Sequence, residues 1–321
     1  MLKINFVRWM VGIGLSVLVV ACAPVAAQTT QATPTPRSSP TIAPTMTVIL
    51  PTVAPTTPTA QPTPMLSPTQ TINVSTLQII PSATPRIVQT CGETQGRQSV
   101  LHFDSATLAR RVAYSLYLPP CYAANPARVY PVLYLLHGVG ADNTQWLDLN
   151  VVASADALIA QHTSAPFIIV MPDGDYRAGE DYAAFVLRDL VPHIEQTLRV
   201  SRDRAGHAIG GLSRGGYWAL DIALTHPELF AAVGGHSPVT NAGLVETFAL
   251  TMGATDRNAL RIYLDVGRND HLAPTVKPFA AIVQAQHAKT IFHLYDGRHN
   301  REYWRAHVAE YLAFYAADWT K

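Results

Sequence analysis

Beyond residue 100 the chain alternates short, continuously apolar runs with longer segments whose apolar residues recur every three or four positions. The runs cover residues 130–136, 167–171, 205–212, 231–235, 261–266 and 290–295. Apolar stretches of this length, with no polar alternation, predict strands buried on both faces. Helical spacing occupies residues 151–162, 181–198, 217–225, 276–287 and 301–318, with Phe185, Leu190, Ile194 and Leu198 forming one stripe. His226-Pro227 supplies a helix stop. Strands alternating with helices imply right-handed crossovers and a mostly parallel sheet, hence an α/β fold built as a three-layer sandwich. Ahead of it, residues 100–104 and 112–118 read as an antiparallel hairpin. Residues 239–258 read as short loops with little room for a long lid.

The first quarter has a different character. Lys3 and Arg8 precede an apolar run over residues 10–20, too short to span a bilayer comfortably and suited to a signal peptide. It ends Leu18-Val-Val-Ala-Cys22, which resembles a bacterial lipobox and implies lipidation of Cys22; an ordinary secretory cleavage near Ala27 is the alternative. Residues 28–90 hold 12 of the 24 prolines, many threonines, only Arg37 and Arg86 as charges, and no acidic residue. Such a segment cannot bury enough apolar surface to offset its ordering entropy, so an extended stalk is expected. At about 3.1 Å per residue it would hold a domain on the order of 100–200 Å from a membrane. The expected organisation is a signal peptide at 1–27, a stalk at 28–90 and one catalytic domain at 91–321. The protein would be secreted and tied to the membrane by lipid alone.

Four of the 23 basic residues and none of the 22 acidic ones precede residue 91, leaving the remainder 19 basic to 22 acidic, a formal −3. That balance gives no case for nucleic acid as a partner. With Cys22 lipidated, Cys91 and Cys121 remain, in an oxidising compartment and at the two open ends of the predicted hairpin. A disulfide between them is expected, with two unpaired buried thiols as the alternative.

The chemistry centres on Gly211-Leu-Ser-Arg-Gly215, set between an apolar strand and a helix. This is the pattern of a nucleophile elbow, which holds a serine at the tip of a strained turn beside free helical N–H groups. A serine needs a base, and the base an orienting carboxylate. Elbows of this kind place them downstream, acid before base, on loops beyond the strands' C-terminal ends. Among the later histidines, His287 and His307 fall in helices, His293 in a strand, and His271 in the loop of the acid candidates. His299 alone occupies the loop after the last strand, which makes it the base. Asp270, in the loop after the strand at 261–266, is the favoured acid over Asp265 and Asp296. His137-Gly138-Val139-Gly140 follows the first central strand; the Val139 N–H is a candidate oxyanion donor and His137 reads as structural. Trp146, Asp181, Tyr182 and His236 are candidate rim residues that would touch substrate.

Six pieces carry a family resemblance: Leu135-Leu-His-Gly138 with Trp146 downstream, Val170-Met-Pro-Asp-Gly174, and Gly210-Gly-Leu-Ser-Arg-Gly-Gly216. The others are His226-Pro-Glu-Leu-Phe230, Asp265-Val-Gly-Arg-Asn-Asp270, and Gly297-Arg-His299 followed by Tyr303-Trp-Arg305. In that order, over about residues 97–317, they resemble the esterase D / antigen 85-type esterases of the α/β-hydrolase superfamily, which include feruloyl esterases. The resemblance implies Ser213 as nucleophile, Asp270 as acid, His299 as base, and the N–H groups of Val139 and Arg214 as oxyanion donors. The loop His-Gly-Val-Gly-Ala-Asp lacks the second adjacent glycine of many members. The implied activity is a serine esterase acting on small soluble, feruloyl, acetyl or sugar-linked esters. Acyl transfer through the same triad, or a non-catalytic binding module, are the alternatives. No cofactor and no metal are implied, since no H-E-x-x-H or similar ligand spacing occurs.

Overall fold

The structure is a computed structural model, and it describes residues 91–174, 180–251 and 259–319, with the side chains of Glu180 and Asp181 left aside. Residues 1–90, where a signal peptide, Cys22 and a stalk are expected, lie outside the described residues. Eight strands form one sheet in the order β1-β2-β4-β3-β5-β6-β7-β8. They are β1 (Arg97–Ser105), β2 (Arg110–Leu118), β3 (Val132–Leu136), β4 (Ile168–Pro172), β5 (His207–Leu212), β6 (Ala232–His236), β7 (Arg261–Gly267) and β8 (Thr290–Tyr295). β1 and β2 pair antiparallel, β2 runs antiparallel to β4, and every pairing from β4 to β8 is parallel.

The apolar runs are buried on both faces because helices cover both. In β3, Val132, Tyr134 and Leu136 face one core and Leu133 and Leu135 the other. The second core is closed by α2 (Val151–Ala160), which follows the short α1 (Gln145–Asp148), and by the long C-terminal helix α8 (Arg301–Ala316), through Val151, Ala155, Val308, Tyr311 and Leu312. The first is closed by α4 (Val191–Thr197), α5 (Arg214–Thr225), α6 (Ala242–Leu250) and α7 (Ala273–Gln286), through Ile194, Trp218, Phe248 and Phe279. This is the three-layer sandwich with an antiparallel start.

Two segments depart from the sequence reading. The helix expected over residues 181–198 is interrupted: α3 (Glu180–Ala184) passes into a π-helical turn, Phe185–Leu190, before α4 begins. Pro192 has no N–H to offer the carbonyl four residues back, and a wider turn is one way to accommodate that. Residues 239–258, read as loop, contain α6, whose N-cap Asn241 accepts the Leu244 N–H at 2.9 Å. Cys91 is joined to Cys121 across the open end of the β1–β2 hairpin, with Cα atoms 5.8 Å apart. Among the described residues no helix is long and apolar enough to cross a membrane.

Candidate active site

The C-terminal ends of β3, β5, β6, β7 and β8 share one rim, and the elbow stands at its centre. β5 ends at Leu212, Ser213 adopts φ 56° and ψ −119°, and α5 starts at Arg214. A non-glycine residue at positive φ costs about 1–3 kcal/mol and persists only where its surroundings over-determine it. Here they do. The Ser213 N–H donates to the His236 carbonyl at 2.9 Å, and its own carbonyl accepts the Val239 N–H at 2.9 Å. A Cβ on Gly211 would overlap the Gly215 backbone, and one on Gly215 would strike the carbonyls of Leu136 and His137. Both glycines are therefore required by space.

The loops after β7 and β8 are laced together. The Arg268 N–H donates to the Tyr295 carbonyl at 2.7 Å and the Asn269 N–H to the Gly297 carbonyl at 2.9 Å. Asn300 caps α8 by accepting the Tyr303 N–H at 3.1 Å. These constraints bring His299 between two partners. Its Nε2 lies 3.0 Å from Ser213 Oγ and its Nδ1 2.8 Å from Asp270 Oδ2. Trp304 stands edge-on to the His299 ring, centroids 4.9 Å apart, and blocks one way the imidazole could swing. The Asp270 carboxylate is fully buried, and its other oxygen accepts the Leu272 N–H at 2.8 Å.

Burial pushes Asp270 up, but hydrogen bonding from His299 and Leu272, with the Ser237 hydroxyl beside it, holds the carboxyl below its ordinary value. A carboxylate depressed on folding contributes stability above its unfolded value, and that stability is lost as pH falls through the folded one. Asp270→Asn should thus flatten the acid-side fall in melting temperature below the ordinary 3.8. Parallel melting-temperature profiles for the two proteins would contradict this.

The loop after β3 is held by His137 and Gln145. His137 Nδ1 meets the Gly138 carbonyl at 2.7 Å, and Nε2 accepts the Gly174 N–H at 3.1 Å. Burial holds this imidazole below its ordinary pKa, which suits a structural clamp between the β3 and β4 loops. The Gly138 N–H is taken by Gln145 Oε1 at 2.7 Å, so the next N–H along is that of Val139. A Cβ on Gly138 would lie 3.5 Å from Ser213 Cβ, which puts this loop directly against the elbow. Gln145 carried no signal in the sequence.

Three of the four rim candidates need correction. Trp146 is 1 % exposed, and its indole N–H donates to the Leu136 carbonyl at 3.1 Å, so it props the β3 loop from beneath. Tyr182 is wholly buried against Phe185 and Trp218. His236 is wholly buried too, with Nδ1 2.9 Å from Asp265 Oδ1 and Nε2 2.9 Å from the Tyr315 hydroxyl. Asp181 sits in α3, and its side chain lies outside the described residues. Of the rival acids, Asp296 is exposed on its loop, paired with Arg268. Asp265 is buried, and its second oxygen accepts from Tyr303 and Tyr311 at 2.6 and 2.9 Å. A recess of about 220 Å³ is lined among others by Asp142, Gln145, Arg301 and Trp304, the last of which packs edge-on against His299.

A mostly parallel eight-stranded sheet with a serine elbow at its rim defines an α/β-hydrolase. The family described as "Putative esterase" matches residues 105–315, and the chain belongs to it. An endo-1,4-beta-xylanase/feruloyl esterase of Xylanibacter ruminicola is 32 % identical over 142 residues, 40 % of this chain and 20 % of that protein. Esterase Rv1288 of Mycobacterium tuberculosis is 29 % identical over 156 residues, 45 % of this chain and 33 % of that protein. The chain thus spans only a fifth to a third of these relatives' lengths. A solved ferulic acid esterase superposes with a TM-score of 0.64 at 27 % identity, over 70 % of this chain and 99 % of that one.

Proposed function

We propose that the chain is a serine carboxylic ester hydrolase working through an acyl-enzyme on Ser213. One observation above all supports this: the relay from Ser213 Oγ through the His299 ring to Asp270, at 3.0 and 2.8 Å. His299 Nε2 takes the hydroxyl proton as Oγ attacks the ester carbonyl, while Asp270 holds the ring's orientation and stabilises the imidazolium. The developing oxyanion faces the N–H of Arg214, first in α5, and that of Val139. Collapse expels the alcohol, which receives the proton from His299. Water then repeats the sequence on the acyl-serine and restores the enzyme.

The polar recess lined by Asp142, Gln145, Arg301 and Trp304 suits a hydroxylated alcohol portion, and two of the similar proteins carry feruloyl or ferulic acid esterase in their names. Small soluble esters, among them feruloyl, acetyl and sugar-linked ones, are the proposed substrates. Their hydrolysis outside the cytoplasm, by a domain tied to the membrane through Cys22 and the stalk, completes the reading. A serine-reactive phosphonate should label Ser213 and no other residue, as peptide mass mapping would reveal. Labelling elsewhere, or none, would refute the assignment.

A further inference from the structure

The acid loop carries a second histidine that the proposed chemistry does not use. His271 follows Asp270 directly, its side chain is 70 % exposed, and its Nδ1 lies 3.5 Å from Asp270 Oδ1. Its ring stands edge-on to that of His299, centroids 4.7 Å apart. One potential ligand atom from each of Asp270, His271 and His299 lies within 4.8 Å of the others. We propose that these three side chains form an inhibitory site for zinc, placed on the triad itself. The inference rests on the esterase reading for its effect on turnover, though not for the binding.

The geometry favours a small tetrahedral cation. Two ligands about 2.0–2.2 Å from a tetrahedral zinc are about 3.3–3.5 Å apart. That is the separation His271 Nδ1 and Asp270 Oδ1 already have, whereas an N–H···O hydrogen bond of that length is weak. Asp270 Oδ1 accepts the Leu272 N–H, and a carboxylate oxygen has a second lone pair with which it can bind a metal. His299 supplies a third ligand by a small turn of its ring, and water completes the shell. Two imidazoles and one carboxylate suit zinc, whereas magnesium and calcium require more oxygen ligands than this cluster offers.

Coordination disables the base whichever nitrogen His299 gives. A metal on Nδ1 sends the ring proton to Nε2, which then has no lone pair for the Ser213 proton. A metal on Nε2 occupies that lone pair directly. The imidazole stays neutral in both cases, and the serine loses its proton acceptor.

The test titrates zinc into the full chain hydrolysing p-nitrophenyl acetate, then adds excess chelator. Micromolar zinc should lower the rate, chelator should restore it, and magnesium should do neither. His271→Ala should keep the zinc-free rate and raise the half-inhibitory zinc concentration by about tenfold or more, the scale on which a metal site's supporting contacts matter. Calorimetric zinc titration of Ser213→Ala protein, with and without His271→Ala, reads the site independently of turnover. Failure of the esterase reading therefore leaves the binding result interpretable. Equal zinc binding with and without His271 would overturn the proposal, as would equal inhibition of the two enzymes or a rate indifferent to zinc.

Discussion

Ser213→Ala is expected to lower kcat on a p-nitrophenyl ester by about 10⁴-fold or more, the scale seen when a triad nucleophile is removed. The substitution takes away only Oγ, whose described contact is His299 Nε2 at 3.0 Å. The strained φ of 56° is imposed by backbone bonds to His236 and Val239, so the elbow should keep its shape. An unchanged melting temperature beside the lost activity would separate a chemical role from a structural one. What activity remains would come from binding and oxyanion stabilisation alone. Pre-steady-state and steady-state rates near wild type would place the nucleophile elsewhere.

The largest expected loss of stability comes from a residue outside the relay. Asp265 lies wholly buried beneath the rim and accepts from His236, Tyr303 and Tyr311. Burial, together with the Asp265 charge, raises the phenols of Tyr303 and Tyr311 far above their ordinary value, so both remain donors. Asp265→Ala would strand three buried polar groups, and loss of one partner from such a set costs about 3–5 kcal/mol. Urea unfolding should register that drop, against about 1.5–3 kcal/mol for Tyr303→Phe, which removes a single hydrogen bond to a charged group. A loss for Asp265→Ala no greater than for Tyr303→Phe would mean the network carries little of the fold. Esterase activity should fall as well, since the His236 carbonyl holds the Ser213 N–H and Tyr303 lies one turn beyond His299.

Much of this was legible because some requirements are local and steric. Gly211 and Gly215 are needed wherever a turn this tight occurs, and a loop beyond the last strand leaves one histidine to choose. Asp270 required one more step, that a residue past the end of β7 reaches the rim while Asp265, inside it, does not. The buried network was not legible. His236 and Asp265 are far apart in sequence and meet because the parallel register sets them side by side on β6 and β7. Tyr315 reaches His236 over Gly210 and Gly234, where any side chain would collide with its hydroxyl end. Nothing in the run of residues announces either fact. Trp146 and Tyr182 misled for a related reason, since a large ring near a site suits its support as well as its lining. The helix α6 did leave a trace, in Asn241 ahead of an apolar stretch.

The link between Cys91 and Cys121 decides how the domain bears a pull on the chain that precedes it. Tension arriving at Cys91 passes through sulfur to Cys121, beyond the end of β2, and bypasses the turn between the first two strands. β1 is the edge strand of the sheet and its backbone ladder is with β2, the kind of element that would peel away first under load. Enclosed in the covalent loop, it is shielded from the force, and reducing the bond should turn a strong mechanical anchor into a strand that unzips.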